Sequence, residues 1–254
     1  MSDDIQRHLA DGILELRIAR PDKKNALTNA MYGALTAGLA EASADPAITA
    51  VLISGEGDAF CAGNDISGFL PANRTDAAMV FIRAIADFDK PIVAAVRGLA
   101  VGVGTTMLLH CDLVYAAPDA RFSVPFAKLG LVPEAASSLL LPQRIGHAKA
   151  AAMLLLGEPL DAEAADRAGF VTAIVAGDQL LAHARAKAVA LTAMPPRALA
   201  ETRRLLRGDR SDVTARMREE ETAFATALAG AEAKEAFSAF FEKRAPVFTR
   251  EGAK

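Results

Sequence analysis

The chain has 254 residues, 52% of them apolar, and 28 Lys and Arg against 31 Asp and Glu give a net charge of −3. So much apolar side chain excludes a disordered chain and supplies a sizeable core. The acidic balance, the lack of Trp and the presence of only two Tyr argue against a nucleic-acid surface, and Cys61 and Cys111, far apart with no CxxC, exclude a disulfide framework or zinc knuckle and fit a reducing, cytoplasmic setting.

Met1-Ser2-Asp3-Asp4 is acidic and no apolar run follows it, so no secretory signal is expected. Ile5 to Leu9, Gly12, and Ile13 to Ile18 alternate apolar with polar, which predicts a β-hairpin. Arg20-Pro21-Asp22-Lys23-Lys24-Asn25 reads as a polar turn. Thr28 or Asn29 caps a helix that runs to about Ala44, where Asp45-Pro46 stops it. Ile48 to Ile53 is a β-branched strand, and a glycine-rich loop follows from Ser54 to Gly63. Ala77 to Phe88 has helical spacing. Pro91 to Val96 is a buried strand, Gly98 to Gly104 a loop, and a helix then runs to about His110. Pro91 to Leu109 approaches membrane-spanning length, but Arg97 and the breakers Pro91, Gly98, Gly102 and Gly104 favour a strand, a tight loop and a buried helix.

Asp112 to Ala116 and Arg121 to Ser123 are short strands, and helical spacing then dominates. Ser137 to Arg144, Ala148 to Leu156 and Ala162 to Ala168 precede one last strand, Val171 to Val175. Gln179 to Thr192, Arg197 to Leu206, Val213 to Leu228 and Ala231 to Lys243 close the chain. Strand–helix alternation followed by helices predicts an α/β core over 1–194 and a helical region over 195–254. That region either packs on its own domain or offers a surface to a partner.

Two loops carry possible chemistry. Gly102-Val103-Gly104 lies between a strand and a helix, but Met107 stands where a dinucleotide fingerprint needs its third glycine, and there is no P-loop. Such a junction leaves backbone N–H groups without helical partners, which can hold an anion or a developing oxyanion. Alone, it reads more simply as a tight turn that needs glycine dihedrals. Ala59 to Ile66 is a second loop of the same kind, so a two-donor hole is conceivable. No GxSxG or HExxH occurs. Glu134 follows Pro133 in a stretch that is otherwise mostly apolar. A glutamate there reads first as decoration of a helix start, yet in an apolar wall it would also have a raised pKa and could act as a general base.

Taken together, five marks in order resemble the crotonase, or enoyl-CoA hydratase/isomerase, superfamily: Arg20 to Leu27, Ala59 to Ile66, Lys90 to Val96 with Gly98 and Gly102, Phe122 to Pro142, and Phe240 to Phe248. The resemblance covers nearly the whole chain. It implies an α/β spiral of ββα units with a C-terminal helical region that builds a homotrimer or a dimer of trimers. It implies an acyl-CoA thioester as substrate, coenzyme A being part of that substrate, with no separate cofactor, no metal, no nucleic acid and no membrane. By position, the backbone N–H groups of Ala62 and Val103 would form the oxyanion hole. Lys23, Lys24, Ala26, Ala62, Gly63, Asn64, Asp65, Ile66, Phe126 and Lys243 would contact the CoA ester. Phe69, Leu70, Phe81, Phe88, Phe126 and Leu140 are candidates for an acyl pocket, although each reads more simply as core.

Within that family the carboxylates decide the reaction. Thr106 and Phe126 occupy the positions where a hydratase has its two glutamates, and neither can activate water or protonate carbon. Glu134, eight residues beyond Phe126, stands where Δ3,Δ2-enoyl-CoA isomerases carry their single acid, and Val124 to Ser138 is similar to the peroxisomal type. The resemblance therefore implies a 1,3-proton shift with Glu134 as the catalytic base. Its rivals are hydration or hydrolysis with Glu134 acting on water, and a non-catalytic acyl-CoA-binding subunit.

Overall fold

The computed structural model describes residues 3–66 and 76–248. Phe69 and Leu70 lie outside the described residues. The expected hairpin forms from β1 (Ile5–Ala10) and β2 (Ile13–Ile18), joined by Asp11 and Gly12. Both turn residues have positive φ, 54° and 74°, the twist that a two-residue hairpin turn requires. Thr28 accepts the Met31 N–H at 3.3 Å and so caps α1 (Asn29–Ala44). At the other end of this helix, Lys90 Nζ donates to the carbonyls of Ala42, Asp45 and Ile48 at 2.6–2.8 Å.

From β2 the chain builds a parallel sheet by crossovers. β3 (Ala50–Gly55) lies beside β2, β4 (Ile92–Val96) beside β3, β6 (Leu113–Ala116) beside β4, and β9 (Ala173–Ile174) beside β6. The central strands are buried on both faces, as their unbroken apolar runs require. The crossovers carry α2 (Ala77–Asp87) and, further on, α4 (Ser137–Ile145), α5 (His147–Leu156) and α6 (Ala162–Arg167). A second, three-stranded sheet joins β5 (Leu99–Val101), β7 (Arg121–Ser123) and β8 (Leu160–Asp161). Two of these strands differ from expectation. β5 lies inside the presumed glycine loop because Ala100 and Val101 pair with Phe122 and Ser123, and β8 is only two residues long and leaves no periodic trace. The expected helix after Gly104 is split into one helical turn, α3 (Val103–Thr106), and a 3-10 turn, Met107–His110. Pro91 to Leu109 is thus broken four ways, and among the described residues no helix is long and apolar enough to cross a membrane.

The last helix of the core region and those of the tail that follows it pack on the sheet and its crossovers. α7 (Leu180–Thr192) covers one face of the sheet, with Leu180, Ala184 and Ala188 against Ile13, Leu52, Val93 and Tyr115. α8 (Pro196–Arg207) is fastened by Arg203, whose Nε meets both Asp112 oxygens at 2.9 Å and whose Nη1 donates to the Phe88 carbonyl at 2.9 Å. In α9 (Ser211–Ala229) and α10 (Ala231–Phe241), Phe224 and Ala233 join the main core. The same tail leaves Leu205, Leu206, Phe240, Phe241, Val247 and Phe248 exposed.

Candidate active site

The segment Cys61–Asp65 is the spine of the site. On one edge Cys61 pairs with Ala100, the Cys61 N–H donating to the Leu99 carbonyl at 3.0 Å and the Val101 N–H to the Cys61 carbonyl at 2.9 Å. On the other edge Leu27 pairs with Asn64: the Leu27 N–H reaches the Gly63 carbonyl at 2.8 Å, and the Asp65 N–H reaches the Leu27 carbonyl at 2.9 Å. The stretch Arg20 to Leu27 exists to make this edge. Asn25 is fully buried and its Nδ2 donates to the carbonyls of Glu56 and Ala59 at 2.9 and 2.6 Å, while Arg20 Nη1 pairs with Asp65 at 2.7 Å. Asp65, expected at the CoA site, is therefore already half of an ion pair.

The second loop lies against this spine. Gly104 must be glycine, because a Cβ there would stand 2.5 Å from the Cys61 carbonyl oxygen. The Val103 N–H, at the first position of α3, has no hydrogen-bond partner among the described residues. The other expected donor needs correction. The Ala62 N–H donates to the Lys24 carbonyl at 2.9 Å and is not free to hold a substrate oxygen. Two residues on, the ladder to Leu27 engages the carbonyl before Asn64 and the N–H after it, which turns the Asn64 N–H to the opposite side. That N–H has no partner among the described residues, and Asn64 lines the same chamber as Val103.

The chamber has a volume of about 300 Å³, is nearly all apolar, and is walled by Ile82, Val103, Phe126, Leu131, Phe224 and the aromatic ring of Tyr32, among others. Two helices of the tail contribute to it, through Phe224 and Phe240. Phe126 stands in the wall as expected. Phe81, Phe88 and Leu140 do not: Phe81 is buried behind Tyr32 with ring centroids 5.7 Å apart, Phe88 lies in the core beneath α8, and Leu140 packs against the core outside the chamber. Lys23, Lys24 and Lys243 are exposed and Ala26 is half-buried, and none of these four lines the chamber.

Glu134 is the one carboxylate among the described residues that line it. The residue is 4% exposed. Its Oε1 accepts from the Thr106 hydroxyl, and its Oε2 is buried with no hydrogen-bond partner among the described residues. Burial pushes its pKa from the usual 4.5 up to about 8; the Thr106 hydrogen bond opposes the shift and the negative charge of Glu220 adds to it. Glu134 does not decorate the first turn of α4. That helix starts at Ser137, and between them Ala135 and Ala136 both adopt left-handed backbone, with φ of 60° and 55°. Nothing in an alanine pair announces such a conformation.

Sequence reasoning also missed the groups behind this turn. His110 is buried, and one ring nitrogen, Nε2, lies 2.9 Å from the Ala135 carbonyl. Glu220 of α9 is buried and accepts the Ser138 N–H at 2.9 Å. The apolar run Met107 to Leu109 before His110 is a weak signal, and Glu220, between Glu219 and Glu221 in a charged stretch, carries none.

An α/β spiral whose described residues set two unpartnered backbone N–H groups and one high-pKa carboxylate around a mostly apolar chamber defines a class of protein. It can hold the apolar part of an acyl compound, stabilise negative charge on a carbonyl oxygen, and move a proton beside it. A sequence model of the family described as enoyl-CoA hydratase/isomerase matches residues 8–251. The crystal structure of an enoyl-CoA hydratase/isomerase from Pseudoalteromonas atlantica superposes with a TM-score of 0.93 at 45% identity, covering 97% of this chain and all of that one. A probable enoyl-CoA hydratase of Mycobacterium bovis is 35% identical over 250 residues, 96% of each chain. Enoyl-CoA delta isomerase 2 of Rattus norvegicus is 36% identical over 219 residues, 83% of this chain and 56% of that one. The chain belongs to the enoyl-CoA hydratase/isomerase family, the crotonase superfamily that its motifs resemble, and is an enzyme of that family with its fold.

Proposed function

We propose that the protein is an acyl-CoA isomerase that converts a 3-enoyl-CoA into the trans-2-enoyl-CoA. The observation that carries this reading is the single carboxylate, buried and with Oε2 unpartnered, among the described residues that line a mostly apolar chamber. A 1,3-proton shift asks for nothing more. Glu134 Oε2 takes the proton from C2, and the C–H electron pair enters a dienolate whose negative charge rests on the thioester oxygen. The N–H groups of Asn64 and Val103 hold that oxygen. The same carboxylic acid then gives its proton to C4, and the double bond ends between C2 and C3. A pKa of about 8 suits both steps: the base is strong enough to take a proton near neutral pH, and its acid is weak enough to be a ready donor only to the dienolate.

Hydration is the second reading, supported by the name of the Mycobacterium bovis relative. Against it stand Thr106 and Phe126 at the positions of the two hydratase acids, since one buried carboxylate would have to both activate water and protonate C2. Lys23, Lys24, Ala26, Ile66 and Lys243 remain proposed contacts of the CoA moiety, and residues 195–254 the proposed oligomerisation region. The test is an assay of purified protein with trans-3-hexenoyl-CoA and, separately, crotonyl-CoA. The expected outcome is a gain of conjugated-enoyl absorbance from the first and little loss from the second. Rapid hydration of crotonyl-CoA would overturn the isomerase reading.

A further inference from the structure

Left-handed backbone is sterically disfavoured for alanine, so something outside the turn must hold the pair Ala135–Ala136. Neither alanine has a side chain that could do so. The holding groups come from two places. Below the turn, His110 Nε2 lies 2.9 Å from the Ala135 carbonyl, and Arg210 Nη2 lies 3.3 Å from His110 Nδ1. A guanidinium only donates, so Nδ1 is the acceptor and the ring proton sits on Nε2, where it is donated to Ala135. Burial, with Arg210, Arg207 and Arg144 nearby, pushes the His110 pKa down to about 3, and this tautomer persists across the working pH range.

Beyond the turn, α4 begins without a side-chain cap of its own. Glu220 supplies one from another helix, its Oε1 accepting the Ser138 N–H at 2.9 Å, while Arg216 Nη1 donates to Ser138 Oγ at 3.0 Å. Arg210 precedes the first residue of α9, and Arg216 and Glu220 lie within that helix. Three side chains from one stretch of the tail therefore converge, one through His110, on the few residues that present Glu134.

We propose that His110, backed by Arg210, and Glu220 are positioning residues for Glu134: they clamp the Ala135–Ala136 turn from both sides, so that α9 sets where the carboxylate stands in the chamber. This rests on the reading of Glu134 as the base. Neither residue touches substrate. Glu220 has a second, electrostatic effect on the carboxylate. The other groups facing Glu134 are the Thr106 hydroxyl from α3, the Tyr32 phenol from α1, and the ion pair of Arg83 and Glu221, which lies across a small niche beside it from α2 and α9. Glu220 is the carboxylate whose charge pushes Glu134 toward the protonated state.

The test compares His110→Leu, His110→Gln and Glu220→Gln with Glu134→Gln in the 3-enoyl-CoA assay. Glutamine at 110 keeps a donor near the place of Nε2; leucine does not. The clamp predicts that His110→Leu lowers kcat about 10–100-fold with KM within about threefold, and that His110→Gln restores most of the loss. Glu220→Gln keeps an acceptor for Ser138 but removes the charge, so the rising limb of its pH–rate profile moves to lower pH. If His110→Leu fails to fold, His110→Asn, whose shorter amide falls short of the Ala135 carbonyl, takes its place with the same expected loss. Wild-type kcat in His110→Leu, or in a Glu220→Ala variant that removes the acceptor of the Ser138 N–H, alongside an inactive Glu134→Gln, would overturn the clamp and leave Glu134 as the base. Retained turnover in Glu134→Gln would instead overturn the reading of Glu134, and the clamp with it.

Discussion

The segment Cys61–Asp65 is held on both edges by main-chain bonds, to Leu99 and Val101 on one side and to Leu27 on the other. Apart from Gly63, whose positive φ and close approach to the Val101 carbonyl require glycine, its side chains can vary while its N–H groups point where the ladder puts them. The turn at Glu134 has no ladder. Its backbone is strained at two alanines and depends on His110 and Glu220, which come from distant parts of the sequence. One region of the site is therefore specified by register and tolerant of side-chain change; the other is specified by a few tertiary contacts and intolerant of losing them. Oxygen stabilisation and proton transfer should fail in different ways when each region is disturbed.

The most severe break is Glu134→Gln. It removes the base and leaves the chamber's shape, so kcat is expected to fall by about 10³-fold or more while affinity for a saturated acyl-CoA changes by less than about threefold, measured by calorimetry. The ladder region is broken by Gly104→Ala. The added Cβ meets the Cys61 carbonyl and forces α3 away from the spine, separating the Val103 and Asn64 N–H groups. A loss of about 10²-fold in kcat is expected, the cost of one oxyanion donor, with the pH profile unmoved. Thr106→Val disturbs the carboxylate alone. Its hydrogen bond holds the Glu134 pKa down, so removing it shifts the rising limb of the kcat profile to higher pH and lowers kcat at pH 7 about three- to tenfold. These two variants together separate the regions: one changes the plateau, the other changes the limb.

A last prediction concerns stability rather than rate. Glu134 has a folded pKa of about 8, raised from 4.5, so the native state keeps a proton that the unfolded state has lost between those values. Its favourable contribution is complete below pH 4.5 and is lost as pH rises through 8. Glu134→Gln is accordingly expected to be more stable than the parent at pH 9, by a few kcal/mol, and about equal to it at pH 4. Urea melts at the two pH values would measure this, and equal stability at pH 9 would show that the carboxylate is better solvated than its burial implies.

The sequence announces the ladder region much better than the acid's setting. Glycines at 63 and 104 mark close backbone approaches, Gly102 marks a positive φ, and apolar runs at 50–53 and 92–96 mark the strands that feed the loops. The family motif then places Glu134. Periodicity does not reveal which N–H of a loop is free: the Ala62 N–H is consumed by Lys24, a pairing between segments nearly forty residues apart, and only the folded register shows that Asn64 is the open one. Left-handed alanines at 135 and 136 are equally invisible, because their conformation is imposed by His110 and Glu220 rather than chosen by the residues themselves. The aromatic candidates for the acyl wall divided for the same reason. Phe81 and Phe126 look alike in sequence, and their places relative to Tyr32 and the chamber are decided by packing.

The central claim is that one carboxylate both takes the proton from C2 and returns it to C4. The most direct measurement uses a 3-enoyl-CoA deuterated at C2, run in ordinary water and stopped after a single turnover, with the product analysed by mass spectrometry and NMR. The account predicts that a substantial fraction of the deuterium removed from C2 is found at C4, because a buried acid in an apolar chamber returns its proton faster than it exchanges with solvent. Complete washout, with only solvent hydrogen at C4, would contradict it and require a second proton donor.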